Sequence, residues 1–169
     1  MEHIVCMRKT TADLVLRPRR AADDAPIYRL GNRVFAPYSI HPGGAMATML
    51  AERGARSWVA ERSSSVVGFF VLGFEHLARS FGPWQRPAVA RLNAIGVQPE
   101  LHGRGVGRLL LEHAEVVARD EGAVSLTLMT AETNGRARRL FTAAGFQRVL
   151  TLEHAYARGQ RGLLMSKPL

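Results

Sequence analysis

Cysteine is all but missing from this chain of 169 residues, with Cys6 its single representative. One thiol cannot close an internal disulfide, so a disulfide scaffold is excluded and the expected compartment is the reducing cytoplasm. Nothing near Cys6 in sequence would depress its pKa, so it is not read as a nucleophile. The histidines form no His-x-x-x-His pair and no Cys/His cluster, so no metal site is predicted. No apolar run approaches the ~20 residues that span a bilayer. The opening Met1–Cys6 carries Glu2 and lacks the apolar block of a secretory signal. No membrane partner is expected. Internal repeats, low-complexity tracts and linker-like stretches are missing as well.

Lysine is scarce too. Of 23 basic residues only Lys9 and Lys167 are lysine, and the formal net charge is +9. Such a charge raises the possibility of an arginine-rich nucleic-acid-binding module. The arginines are spread along the chain, however, with local knots only at 17–20 and 136–139. Nucleic acid is therefore disfavoured, and a small polyanion is served equally well by the same charge. With 47% hydrophobic residues, the length predicts one domain over 1–169, in which 1–12 read as a flexible or edge segment. Nothing in the composition decides between a monomer and a homodimer.

What is present is an α/β pattern. Leu14–Pro18 reads as a strand, and Ala22-Asp23-Asp24 as capping acids for a helix whose Ile27, Leu30 and Val34 share a stripe. Pro37, Pro42, Gly43 and Gly44 predict a loop holding Tyr38, Ser39 and His41, before a short helix around Met46–Leu50. Strands are expected at 57–60 and 66–72, joined by a turn at Ser63–Ser65, and again at 89–97. Phe81 and Trp84 read either as a lid over a binding site or as loop anchors. A helix from Val106 stops at Gly122, a strand follows at 124–128, and Asn134 caps a helix closed by Gly145. The last strands are expected at 146–152 and 163–166.

The most informative segment is the glycine turn Gly103-Arg104-Gly105-Val106-Gly107, which joins the strand ending at Val97 to the helix. Without Cβ atoms the backbone can approach a ligand closely, and a helix start offers unpaired N–H groups and a positive dipole end. That combination suits phosphate oxygens. No Gly-Lys-Ser/Thr follows, which excludes a P-loop. The later glycine and ribose-binding acid of a dinucleotide fold are also missing.

Three features in order carry a resemblance. They are Val97-x-Pro99, then His102-Gly103-Arg104-Gly105-Val106-Gly107, then Asn134-x-x-Ala137-x-x-Leu140-Phe141-x-x-x-Gly145-Phe146. Together they resemble the core of the GNAT superfamily of N-acetyltransferases, whose motif Gln/Arg-x-x-Gly-x-Gly/Ala is matched except that His102 stands first. The resemblance implies a mixed, mostly antiparallel sheet of six to seven strands flanked by about four helices. It also implies acetyl-CoA as cofactor, and transfer of its acetyl group to a primary amine of a small molecule, peptide or protein. The rival reading within the fold is an acyl-CoA-binding protein with little or no catalysis.

The resemblance further implies that amides of Gly103, Arg104, Gly105, Val106, Gly107 and Arg108, with His102, hold the cofactor's pyrophosphate. Ile95, Gly96 and Val97 would flank its pantetheine arm, with Asn134, Arg139 and Phe141 on the other side. The Val97 amide would stabilise the oxyanion. Two proton carriers found in many relatives are missing. Phe141 stands where a tyrosine acid would be, and Arg91 and Met129 stand where a glutamate base would be. The remaining catalytic candidates are Glu75, His76 and Asn93, with Tyr38 and His41 as candidates for binding the acceptor, and His154 and Tyr156 behind them.

Overall fold

Alternating and continuous apolar runs become one sheet covered on both faces. The computed structural model describes residues 13–78, 83 and 87–169; the expectations for 1–12, Cys6, Phe81 and Trp84 lie outside these. The strands are β1 (Leu14–Pro18), β2 (Arg56–Arg62), β3 (Ser65–His76), β4 (Ala88–Val97), β5 (Ala123–Ala131), β6 (Gln147–Tyr156) and β7 (Gln160–Pro168). They form a 7-stranded sheet in the order β1-β2-β3-β4-β5-β7-β6. Neighbours are antiparallel throughout except for β4 and β5, which run parallel. The helices are α1 (Asp24–Phe35), α2 (Pro42–Ala51), α3 (Val106–Asp120) and α4 (Gly135–Ala143). This is the mixed, mostly antiparallel sheet expected.

The run Val67–Leu72 is apolar without alternation because β3 is buried on both sides. Phe70 and Leu72 join Leu110, Leu111 and Phe141 beneath α3 and α4, whereas Phe69 and Val71 join Ile27, Met46 and Leu50 beneath α1 and α2. Each such side chain contributes about 1.5–3 kcal/mol on leaving water.

Two local expectations are corrected. Pro42, Gly43 and Gly44 do not extend the loop; Pro42 opens α2. A proline fits the first helical turn, where its missing N–H would have no partner and its fixed φ is already helical. Asp23 does not cap α1 with its side chain. Its carboxylate instead accepts from the Arg20 N–H at 2.7 Å and from Arg17 at 2.7 and 2.8 Å. Arg17 also bonds Glu61 at 2.7 Å, so the acid expected to start a helix instead holds the arginine that fastens β1 to β2.

His113 of α3 is half-buried against the core, its ring 4.2 Å from Trp58 and 6.1 Å from Phe70, and its buried Nε2 has no hydrogen-bond partner among the described residues. Burial pushes its pKa below the ordinary value of 6.5. The unfolded chain therefore binds a proton more readily than the native protein, and stability falls as pH drops through 6.5 toward the depressed native pKa. His113→Phe is expected to flatten that slope and, by removing an orphaned polar atom, to add about 1 kcal/mol at neutral pH. Denaturant midpoints at pH 5 and pH 8 test this; an unchanged pH slope would refute it.

Candidate functional site

The site arises where β4 and β5 part. Their pairing ends at Leu92 opposite Leu128, yet β4 continues to Val97 and β5 to Ala131. At ~3.3 Å per residue this leaves an open edge of about 16 Å. A bulge accompanies the split. Leu92 pairs with Leu72 and Ala94 with Val71, leaving Asn93 as the extra residue. A bulge bends its strand, which here favours the divergence from β5.

Beyond the bulge β4 remains paired with β3, and the Gln98 N–H donates to the Val67 carbonyl at 2.8 Å. By strand alternation the N–H and C=O groups of Ile95 and Val97 face the gap. One of these is already engaged, because His102 Nε2 lies 3.0 Å from the Val97 carbonyl. Since a carbonyl only accepts, the His102 proton sits on Nε2. The Val97 N–H and both backbone groups of Ile95 stay available for an extended ligand.

The chain then makes a short 3-10 turn at Pro99–Leu101 and enters the glycine segment. Gly103 and Gly105 have φ of 74° and 85°, and no heavy atom of the described residues lies within 4 Å of where a Cβ would stand on either. Among the described residues, the N–H groups of Gly105, Val106, Gly107 and Arg108 find no backbone acceptor. They converge at the start of the fifteen-residue helix α3. Arg104 points to solvent, and the Val106 side chain is buried in the core, so these two offer only backbone amides.

α4 forms the facing wall. The Asn134 Oδ1 accepts from the Ala137 N–H at 3.2 Å and caps the helix, so its Nδ2 is left to donate into the cleft. Phe141 is 3% exposed, with its ring 5.9 Å from Phe146. It is a packing residue with no proton to give. Between these walls is a cleft of about 720 Å³. It brings together Ile95, Gly96 and Val97 from the open edge and His102, Gly103, Gly105, Gly107 and Arg108 from the turn. Asn134, Arg139 and Phe141 close it from α4, and Tyr38 stands at its far end.

Sequence inspection missed Arg33, Val34, Phe35, Arg136 and Leu140, which also line the cleft. Arg33 pairs with Glu100, 67 positions away, a separation no local pattern reveals. Arg33 holds the Glu100 carboxyl below the usual carboxylate range. Arg108 is likewise engaged by Glu112 at 2.7 Å. Among the described residues, Arg136 and Arg139 have no carboxylate partner, so α4 presents uncompensated positive charge to the cleft.

The remaining candidates fall elsewhere. His41 precedes α2 and does not line the cleft. Glu75 and His76 end β3, exposed, and Asn93 lies on the bulge; these three also do not line it. Tyr38 meets Tyr156 edge-on at 6.4 Å, and its carbonyl accepts from the Ala157 N–H at 3.0 Å. Gln160 donates to the Pro37 carbonyl at 2.9 Å, so the loop after α1 is fastened to the β6–β7 hairpin. Burial pushes the Tyr156 hydroxyl up to about 12, and it stays protonated at neutral pH. No described helix is long and apolar enough to cross a membrane.

The model of the Acetyltransferase (GNAT) family matches residues 25–146. Mycothiol acetyltransferase of Rhodococcus jostii is 30% identical over 155 residues, covering 86% of this chain and 49% of the relative. The protein of the same name from Sanguibacter keddieii is 33% identical over 139 residues, covering 77% of this chain and 42% of the relative. The chain thus spans about half the length of the curated relatives it matches. Among solved structures, Arabidopsis thaliana NAA60 in complex with acetyl-CoA superposes with a TM-score of 0.79 at 16% identity, covering 92% of this chain and 98% of that one. A GCN5-related N-acetyltransferase from Kribbella flavida superposes with a TM-score of 0.70 at 24% identity, covering 93% and 98%.

Proposed function

From the premise that this chain belongs to the GNAT acetyltransferase family, we propose that it transfers the acetyl group of acetyl-CoA to a primary amine. The observation that supports this most directly is the continuity of two features. A row of amides without acceptors at Gly105–Arg108 runs into a strand edge left open at Ile95 and Val97. The first suits a pyrophosphate, and the second suits an amide-bearing arm that adds to the sheet as a strand would. The residues present fit the cofactor. The two left-handed glycines leave space where side chains would stand, Asn134 Nδ2 could donate to the arm, and Arg136 and Arg139, which line the cleft, would offer its phosphates uncompensated charge.

Acetyl-CoA supplies an activated thioester. The acceptor must arrive as a neutral amine to attack it. An amine of pKa ~10.4 is neutral in only about one part in 2500 at pH 7, a handicap of roughly 4.6 kcal/mol. Deprotonation beside the site is therefore worth much of the barrier. The amine lone pair would form the C–N bond, and the Ile95 N–H, the free donor of the open edge nearer the bulge, would meet the carbonyl oxygen as charge develops on it, while the Val97 N–H would pair with the arm. The C–S bond then breaks, and the thiolate takes up the second amine proton. Phe141 has none to give.

Titration and turnover test this. Acetyl-CoA at 100 times its Kd is expected to stabilise the protein by about 2.7 kcal/mol, which for a domain of this size raises the melting temperature by about 5–10 °C. Thiol release is then followed over spermidine, benzylamine, glucosamine and an alanyl peptide. Release with at least one of them supports the transferase. A thermal shift with no product on any acceptor favours the acyl-CoA-binding alternative, and no shift at all would remove the donor site.

A further inference from the structure

On the α1–α2 face of the sheet, beside the bulge, lies a polar cluster drawn from three elements that no sequence motif connects. Asn93 Nδ2 donates to Glu52 Oε2 at 2.8 Å, and Arg91 Nε donates to Asn93 Oδ1 at 2.6 Å. Arg91 Nη1 reaches Glu75 at 2.8 Å, while its contacts to Glu52 are long, at 3.3 and 3.5 Å. Glu52 follows the last residue of α2, Glu75 ends β3, and Arg91 and Asn93 belong to β4. Two carboxylates thus share one guanidinium. Arg91 is committed to Glu75 and Asn93, which leaves Glu52 the less compensated of the pair.

Glu52 is held over the strand by shape as well as by bonding. A Cβ on Gly73 would stand 2.7 Å from Glu52 Oε1 and 2.9 Å from Asn93 Nδ2, so only glycine there lets the carboxylate lie down on the sheet. The location matters most. The open edge of β4 starts at the glycine turn and ends at the bulge, where Asn93 is the first residue past the final β4–β5 pair. An arm anchored at the turn and laid along Val97 and Ile95 brings its reacting end toward this bulge. The cluster then lies on the opposite face of the sheet from α3 and α4, where an acceptor can approach without crossing the arm.

We propose that Glu52 receives the ammonium of the acceptor and takes its proton as the amine attacks, with Asn93 and Arg91 as positioning residues. This rests on the donor-site reading above and deepens it: the acceptor is a primary amine that arrives protonated, selected by a carboxylate at the end of the open edge. One proton passes from the ammonium to Glu52 and on to water. The nitrogen lone pair forms the C–N bond, the C–S bond breaks, and the second proton goes to the thiolate. The net products are the acetamide, free thiol and one released proton. The charged groups of the network facing Glu52 are Arg91 and, through it, Glu75. Arg53, next in the chain, is exposed.

Glu52→Gln tests this, because it keeps the size of the side chain and an oxygen for Asn93 while removing the charge. Full-length wild type and variant are compared for the thermal shift with acetyl-CoA and for kcat/KM with the amine panel between pH 7 and pH 10. The expected result is an unchanged shift and a fall in kcat/KM of about 10²- to 10⁴-fold at pH 7. The deficit should narrow as pH rises, because the amine then arrives already neutral. Gly73→Ala, which pushes the carboxylate off the strand without removing it, should reproduce at least a tenfold part of the loss. A Glu52→Gln deficit below threefold at pH 7, or one equally large at pH 7 and pH 10, would overturn the proposal. So would a wild type that shows the thermal shift and acetylates none of the amines, a result that leaves the donor site standing. A wild type with no thermal shift would overturn both.

Discussion

Gly105→Val abolishes the rise in melting temperature caused by acetyl-CoA, while the domain stays folded. Gly105 has φ of 85° and ψ of −7° at the cap of α3. A β-branched residue in this left-handed conformation is strained by about 1–3 kcal/mol. Among the described residues nothing lies within 4 Å of the position its Cβ would take, so the new side chain meets no wall of the described fold and instead fills space above the amides. The binding loss is thus expected to be complete and the stability loss moderate. Gly122 offers the matched control. Its φ is 79° and its Cβ position is equally open, but it stands at the far end of α3. Gly122→Val should lose similar stability and keep the full thermal shift. Scanning calorimetry with and without acetyl-CoA separates the two, and a surviving shift in Gly105→Val would show that the pyrophosphate is held elsewhere.

The largest stability effect is expected at Phe69. Its side chain is 0% exposed, it meets Phe35 edge-on at 6.4 Å, and a Cβ on Gly96 would stand only 2.8 Å from its ring. Phe69→Ala should cost about 3–5 kcal/mol, or roughly 6–20 °C in melting temperature for a domain of this size. The ring also supports the open part of β4 from below, since Phe69 pairs with Gly96. Gly96→Ala alone overpacks against that ring and should cost about 1–3 kcal/mol. In the Phe69→Ala background the same methyl enters the vacated space, so its cost should vanish or change sign. Urea denaturation of the four proteins in this cycle measures the coupling. Additive effects would mean that the ring does not support Gly96.

These predictions differ in how far they could have been made from the chain alone. The glycine turn was legible because its requirement is local: a left-handed backbone and unpaired amides are properties of a few consecutive residues. Asn134 was legible for the same reason, since a cap and the helix it starts are neighbours in sequence. The strands were legible as apolar runs, and their ends were not. β3 reaches His76 and β5 reaches Ala131, well beyond the apolar stretches, because pairing partners extend a strand past its propensity. Pro42–Gly44 misled for a related reason. Those residues suit a loop and a first helical turn equally well, and contact between α1 and α2 decides between them.

The chain by itself determined most of the elements, their order, the family they belong to and the glycine turn with its unpaired amides, because each rests on contacts between residues close in sequence or on a motif of fixed spacing. Only the tertiary structure decided where β4 leaves β5, that His102 turns inward to the Val97 carbonyl, and that Glu52 is drawn over Gly73 to Asn93 and Arg91. The last of these joins residues 41 positions apart. Pairing of that kind comes from the closing of the sheet and the docking of α2 upon it, and no spacing along the chain encodes it.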